Sequence, residues 1–243
     1  MHGNKVALVT GANKGIGFEI SRQLGKHRFK VVLAARDEQK AAAAAKLLKA
    51  EGLDAYGVLL DVTKPTTAEA AARWLDERFG RLDVLVNNAG VGYEFATGTK
   101  PSQLTVETLR ATYETNFFGV FTVTQHLLPL LRKSAPARII NQSSTLGSLG
   151  LLSDPKLPYY GNNFLAYNSS KTALNGLTLA FAKELAGEGV VVNSVCPGWV
   201  KTDMGTEAAP RTVEQGAAIA VKLATMDNPP TGKFLDDSGE IRW

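Results

Sequence analysis

The chain has 243 residues, of which 44% are hydrophobic and 21% are charged. This length and composition favour a single globular domain that spans residues 1–243. The 27 Lys+Arg and 23 Asp+Glu residues are interspersed and leave a net charge of only +4, so no nucleic-acid-binding surface is predicted. The first residues lack the apolar region of a secretory signal, and no apolar run is long enough to cross a bilayer. We therefore expect a cytoplasmic protein that does not associate with a membrane.

Short aliphatic and β-branched runs have the composition of strands that are buried on both faces of a sheet. They lie at residues 5–10, 30–35, 55–60, 83–87, 138–142 and 190–196, and residues 232–239 predict a last short strand followed by a turn. Helical patterns lie between them, at residues 38–50, 66–79, 106–132 and 166–186. This alternation predicts a parallel sheet with helices on both faces.

A glycine-rich turn follows the first strand, with the sequence Thr10-Gly-Ala-Asn-Lys-Gly-Ile-Gly17. Glycines permit a tight turn and a close approach of the backbone to a pyrophosphate, which then lies at the positive end of the next helix. A purely structural turn is the alternative. The T-G-x-x-x-G-I-G pattern resembles the short-chain dehydrogenase/reductase family, which implies a dinucleotide site here. The residues concerned are Gly11, Asn13, Lys14, Gly15, Ile16 and Gly17.

Two further elements resemble the same family. Asp61-Val62 follow the third strand, and Asn87-Asn88-Ala89-Gly90 end the fourth. In the family the first pair meets the adenine, and the second element lies beside the adenosine ribose. The resemblance therefore implies cofactor contacts by Asp61, Val62, Asn88, Ala89 and Gly90. A helix cap at Asp61 and an ordinary strand end at the Asn-Asn-Ala-Gly segment are the alternatives.

The end of the second strand bears on the choice between NAD and NADP. An acidic residue there binds the 2′-hydroxyl of NAD, whereas a basic residue accommodates the 2′-phosphate of NADP. The family's acidic position falls on Ala35, which Arg36 follows, and Lys14 adds a second cation. We therefore predict NADP(H) as the cofactor. Asp37 complicates this prediction, because its carboxylate reaches the ribose if the strand ends later.

Tyr167 and Lys171 are four residues apart, which places them about one helical turn apart on one face. A neighbouring ammonium group is expected to lower the pKa of the phenol. When the spacing stands alone, an amphipathic helix with an exposed lysine is the better explanation. The fifth strand ends in Ser143-Ser144, however, and resembles the family's strand with the catalytic serine. The resemblance implies Ser144 as the donor to the substrate oxygen, with Ser143 as the second choice.

Asn116 lies inside a predicted helix, where asparagine is unfavourable. It matches the family's fourth catalytic residue, which holds a water linking Lys171 to solvent; a surface asparagine is the alternative. The segment from Cys196 to Met204 resembles the family's P-G element, although Pro-Gly is otherwise an ordinary turn. Cofactor contacts are implied for Pro197, Gly198, Val200 and Thr202, together with Tyr167 and Lys171. Cys196 is the only cysteine, and we expect a buried thiol.

These motifs occur in the family's order over essentially the whole chain and look most like its carbonyl reductase branch. The resemblance implies a doubly wound, three-layer Rossmann fold with a mostly parallel seven-stranded sheet. It also implies NADPH-dependent reduction of a ketone or aldehyde with Tyr167 as general acid. The segment between Ser144 and Tyr167 is longer than in the family's commonest members and shorter than the insertion of monomeric carbonyl reductases. Within it, residues 147–163 predict a surface loop near the site.

Other functions stay open: a 3-oxoacyl-thioester reductase, a sugar or steroid alcohol dehydrogenase, and a non-catalytic NADPH-sensing regulator. The enzymes among them use the same residues and differ in their pocket walls, for which residues 92–98, 146–164 and 204–210 are the candidates. No metal site is expected, because the three histidines are scattered. The expected partner is a small-molecule carbonyl or alcohol substrate. The resemblance implies a homodimer or homotetramer, because the apolar faces of the helices around residues 120–131 and 172–186 pair subunits in the family; a monomer covered by its own loop is the alternative.

Overall fold

The computed structural model describes residues 5–134 and 136–243, and strands and helices alternate along this part of the chain. The strands are β1 (Val6–Thr10), β2 (Lys30–Ala35), β3 (Ala55–Leu59), β4 (Val84–Asn87), β5 (Ala137–Gln142), β6 (Val190–Val195), β7 (Phe234–Asp236) and β8 (Gly239–Glu240). The helices are α1 (Gly15–Lys26), α2 (Glu38–Ala50), α3 (Pro65–Phe79), α4 (Val106–Tyr113), α5 (Gly119–Arg132), α6 (Leu149–Leu152), α7 (Leu165–Glu184) and α8 (Val213–Thr225). None of the helices in the described residues has both the length and the apolarity needed to cross a membrane.

All strands form one sheet in the order β3-β2-β1-β4-β5-β6-β7-β8, and only the β7–β8 pair is antiparallel. The chain winds outward on both sides of the β1–β4 pair, so the predicted doubly wound fold is confirmed. The described residues form eight strands rather than the predicted seven. After β7 the Asp236 carboxylate accepts hydrogen bonds from the backbone of Ser238 and Gly239, and this turn adds the two-residue strand β8.

The core consists of two apolar layers, one on each face of the sheet. Neighbouring residues of β1 point to opposite layers, since Leu8 packs in one layer and Val9 in the other. Helices α3, α5 and α7 cover the first layer, and α1, α2 and α8 cover the second. Both faces of the sheet are buried, which explains why the sequence of each predicted strand is continuously apolar.

The predicted helix over residues 106–132 contains a π turn. Helix α4 ends at Tyr113 and α5 begins at Gly119, with five π-helical residues, Glu114–Phe118, between them. Asn116 lies in the middle of this turn and is buried. Single π turns inside α-helices occur frequently at functional sites.

The predicted surface loop over residues 147–163 contains the short helix α6. Ser148 caps it by accepting a hydrogen bond from the Leu151 backbone, and its hydroxyl donates to the Arg242 carbonyl at 2.6 Å. The Gly150 backbone donates to the Trp243 carbonyl at 2.9 Å. The first half of the segment is therefore anchored to residues 242–243, which the sequence pattern did not indicate.

Candidate active site

Tyr167, Lys171 and Ser144 come together where the carboxyl end of β5 meets the first turns of α7. The Ser144 side chain lies close enough to the Tyr167 hydroxyl for a hydrogen bond with it to lower the pKa of the phenol. The Lys171 ammonium nitrogen lies 5.6 Å from the centre of the Tyr167 ring and donates to the Gln142 carbonyl at 2.8 Å. The structure therefore brings three of the four predicted catalytic residues into one cluster.

Asn116 is held beside this cluster by hydrogen bonds to two other segments. Its side-chain amide donates to the Val91 carbonyl at 2.9 Å and to the Ser170 hydroxyl at 3.0 Å, and its oxygen accepts from the Val91 backbone at 2.9 Å. A β-carbon on Gly90 would lie 3.4 Å from the Asn116 side-chain oxygen and 3.5 Å from the Lys171 nitrogen. Asn116 thus lies close to Lys171 and connects α7 to the segment after β4.

Burial controls the electrostatics of the cluster. Tyr167 is 8% exposed, and desolvation raises the pKa of its phenol above the ordinary value, with a smaller contribution in the same direction from Cys196. The hydrogen bond with Ser144 acts in the opposite direction. Burial also lowers the pKa of Lys171 to about 8. The expected lowering of the phenol pKa by Lys171 is not observed, because the same burial destabilises both charged forms.

The two serines after β5 have different surroundings. Ser144 interacts with Tyr167 and accepts a hydrogen bond from the Leu146 backbone at 3.1 Å. Ser143 is buried, and its hydroxyl has no hydrogen-bond partner among the described residues. The geometry favours Ser144 as the donor to a substrate oxygen at Tyr167.

The Cys196 thiol is buried, as the sequence predicted. Its sulfur accepts hydrogen bonds from the backbone of Thr145, at 3.3 Å, and of Gly198, at 3.4 Å. Burial raises the pKa of Cys196 despite these bonds. The thiol therefore links the turn after β5 to the Pro-Gly turn after β6, next to Tyr167.

The glycine-rich turn leaves the first N–H groups of α1 open. Lys14 occupies the N-cap position without a side-chain cap, and the first turn of α1 contains no acidic residue. Gly15 has a φ of 59°, and a β-carbon on Gly17 would overlap the Asn88 side-chain amide. An uncapped helix N-terminus behind a glycine-rich turn suits an anionic group. This cradle fits the pyrophosphate of a dinucleotide.

Thr10 supports the cradle, although it was not among the predicted site residues. Its hydroxyl accepts hydrogen bonds from the backbone of Asn88 and Ala89, each at 3.0 Å. The Asn88 amide donates in turn to the Thr10 carbonyl at 2.8 Å. Thr10 therefore fixes the segment after β4 to the end of β1. The signal in the sequence was a hydroxyl residue at the end of a buried strand, directly before Gly11.

The three charged residues considered for the ribose position have different surroundings. Strand β2 ends at Ala35, and Arg36 is exposed and forms no ion pair within the described part of the chain. The Asp37 carboxylate accepts a hydrogen bond from the Lys40 backbone at 3.0 Å and caps α2. Lys14 forms an exposed ion pair with Asp203. Because Asp37 is engaged by its helix, Arg36 is the charged group that remains free at this position.

The remaining predicted contacts lie after β3, after β6 and in the glycine-rich turn after β1. Asp61 accepts hydrogen bonds from the backbone and the hydroxyl of Thr63, while Val62 packs in the core layer under α5. Thr202 reaches the glycine-rich turn, since a β-carbon on Gly15 would lie 3.4 Å from its methyl group. Other predicted residues flank these contacts: Asn13 and Ile16 in the glycine-rich turn, and Pro197, Gly198 and Val200 after β6.

A cavity of about 850 Å³ lies along α7 beside the cluster. Its lining residues come from α4, α6, the first half of α7 and residues 160–163, and include Tyr113, Leu149 and Asn168. Ser144, Tyr167 and Lys171 do not line it. The predicted pocket wall 146–164 therefore borders this cavity, and the walls at 92–98 and 204–210 do not.

Comparisons with known proteins give a consistent result. The family model described as short chain dehydrogenase matches residues 5–213. Carbonyl reductase (NADPH) 1 of Bos taurus is 35% identical over 280 residues, covering 99% of both chains, and (+)-neomenthol dehydrogenase of Arabidopsis thaliana is 34% identical over 284 residues, covering 95% of both. Among solved structures, NADPH-bound carbonyl reductase from chicken fatty liver superposes with a TM-score of 0.86, at 31% identity over 99% of both chains.

Proposed function

The chain belongs to the short chain dehydrogenase family, and we propose that it uses NADPH to reduce a ketone or aldehyde to an alcohol, with Tyr167 as the proton donor. The observation that carries this proposal is the cluster of Ser144, Tyr167 and Lys171 beside the dinucleotide cradle. Desolvation keeps the phenol protonated, which is the form that a general acid needs.

In the proposed reaction, bound NADPH supplies the hydride that the carbonyl carbon accepts. Tyr167 holds a proton on its phenol oxygen and transfers it to the substrate oxygen. Ser144 donates its O–H to the same oxygen, where negative charge develops. Lys171 would bind the nicotinamide ribose and stabilise the phenolate that Tyr167 becomes. Asn116 would hold a water that returns a proton through Lys171.

The reaction is tested by incubating the purified protein and NADPH with aldehydes, ketones, quinones and oxoacyl thioesters. We expect oxidation of NADPH that depends on an aldehyde or a ketone, measured by absorbance, with an equimolar alcohol product identified by mass spectrometry. Turnover with oxoacyl thioesters alone would contradict the proposal in favour of the thioester reductase. NADPH binding without turnover of any carbonyl would instead support the regulator.

Arg36→Asp is expected to raise the dissociation constant of NADPH by about tenfold or more, because a charge-assisted hydrogen bond contributes roughly 1.5–3 kcal/mol. The NADH constant should stay the same or fall, since NADH has no 2′-phosphate. Both constants are measured by fluorescence titration. Lys46→Asp makes the same change of charge on the exposed side of α2 and serves as the control. Equal effects of the two substitutions would exclude a specific role for Arg36.

We also propose that the chain forms a homodimer or homotetramer through α5 and α7, with a monomer as the alternative. Phe121 on α5 is 42% exposed, and its ring centre lies 6.2 Å from that of Phe181 on α7. An exposed aromatic side chain that packs across the two helices supports an interface there. A single domain carrying both sites and a cytoplasmic location stay predictions from the sequence.

A further inference from the structure

Helix α7 carries Tyr167 and Lys171 but has no cap of its own. Its N-cap residue is Phe164, whose side chain cannot accept a hydrogen bond, and its first turn contains no acidic residue. The first N–H groups of a helix have no partner within the helix, and a side chain at the N-cap usually satisfies the second or third of them. Helix α7 must therefore find this acceptor elsewhere in the fold.

Glu94 supplies the acceptor from a 3₁₀ turn, Tyr93–Phe95, that follows β4. Its carboxyl oxygen Oε2 accepts a hydrogen bond from the Tyr167 backbone N–H at 2.9 Å. Tyr167 is the third residue of α7, which is a position that N-cap side chains normally satisfy. Glu94 thus acts as a cap across 73 residues of sequence, and it binds the residue that carries the reactive phenol.

Stability alone gives a poor account of this side chain. Glu94 is 1% exposed, and its second oxygen, Oε1, has no hydrogen-bond partner within the described residues. A buried polar atom without a partner is destabilising, because it has lost its hydrogen bonds to water. The Oε1 atom of Glu94 therefore destabilises the folded state, while Oε2 holds the Tyr167 backbone.

Phe95, the next residue, contacts the ring of Tyr167. The ring centres of Phe95 and Tyr167 are 4.6 Å apart, and Phe95 also packs edge-on against Phe164 at 4.9 Å. Gly92 makes room for this arrangement, because a β-carbon there would lie 2.5 Å from the Phe95 ring. The 3₁₀ turn consequently contacts Tyr167 at both its backbone and its ring.

We propose that Glu94 is a positioning residue for the reaction: it holds the start of α7 so that the Tyr167 phenol stays beside Ser144 and Lys171. Phe95 restricts the ring in the same way. This inference rests on the proposed role of Tyr167 as proton donor. Displacement of a reacting group by about 1 Å can lower a rate by about a hundredfold, so a cap on this helix has a kinetic effect well beyond its effect on stability.

The test compares Glu94→Gln with Glu94→Leu. Glutamine keeps an oxygen acceptor for the Tyr167 N–H, and we expect a kcat within about threefold of the wild type. Leucine removes the acceptor, and we expect kcat to fall by about 10- to 100-fold while KM for the carbonyl substrate changes much less. Glu94→Asp shortens the side chain by one methylene, which withdraws the acceptor without removing the acid. We expect the same loss of kcat, and this variant replaces Glu94→Leu in the test if the leucine variant does not fold.

Two further measurements separate positioning from general stability. Thr212→Val removes the side-chain cap of α8, so it should lower the melting temperature but leave kcat unchanged.

Amide hydrogen exchange at Tyr167, measured without substrate, should accelerate by about tenfold or more in Glu94→Leu and Glu94→Asp but not in Glu94→Gln. Wild-type kcat in a folded variant with an unprotected Tyr167 amide would overturn the proposal, as would an exchange rate that does not change. The exchange measurement does not depend on turnover, so an inactive wild type would contradict the proposed function and not the hydrogen bond from Tyr167 to Glu94.

Discussion

Tyr167→Phe is expected to lower kcat by about a hundredfold to ten-thousandfold, which is the range that general acid catalysis contributes. The substitution removes the phenol oxygen and keeps the ring that packs against Phe95. The dissociation constant of NADPH should therefore change by less than about threefold. Steady-state kinetics at saturating NADPH give kcat, and fluorescence titration gives the binding constant.

Tyr56→Phe is the matched control for this substitution. Tyr56 lies on β3, at the far edge of the sheet, where its ring packs against Trp74 and Phe79. It loses the same atom without approaching the cluster, so its kcat should equal that of the wild type. Unchanged kcat in Tyr167→Phe, or an equal loss in both variants, would remove Tyr167 from the reaction.

The fold was largely predictable because each buried strand carries its own signal. Strands with both faces covered are continuously apolar, and the strands β1 to β6 coincide with such runs to within one residue at either end. Helix α8 was not predicted, although Thr212 and Gln215 form a capping box at its start. The π turn was beyond a pattern-based prediction, since its position depends on hydrogen bonds from Asn116 to Val91 and Ser170.

The candidate site was predictable where its residues are close in sequence. Tyr167 and Lys171 share a helix face at a spacing of four, and the glycine-rich turn is a continuous segment. The hydrogen bonds between Glu94 and Tyr167 and between Lys14 and Asp203 span 73 and 189 residues, so no local sequence pattern predicts them. Burial is likewise a tertiary property, so the direction of the pKa shift of Tyr167 required the structure.

Ser144→Ala is expected to lower kcat by about a hundredfold to a thousandfold, the effect of removing one donor aimed at a developing oxyanion. Two causes act together. The substrate oxygen loses the second O–H donor, and Tyr167 loses the hydrogen bond that lowers the pKa of its phenol. A phenol with a higher pKa releases its proton less readily, so the remaining acid is also weaker. The kcat is measured at saturating NADPH and below the melting temperature of the variant.

Ser143→Ala distinguishes the two serines. The Ser143 hydroxyl is buried without a partner among the described residues, so its removal relieves an unsatisfied polar atom. The variant should be as stable as the wild type or more stable by up to about 1–3 kcal/mol, with kcat within about twofold. A large loss of kcat in Ser143→Ala with normal turnover in Ser144→Ala would transfer the donor role to Ser143. The expected result is the reverse, because Ser144 is the serine whose hydrogen bond lowers the pKa of the Tyr167 phenol.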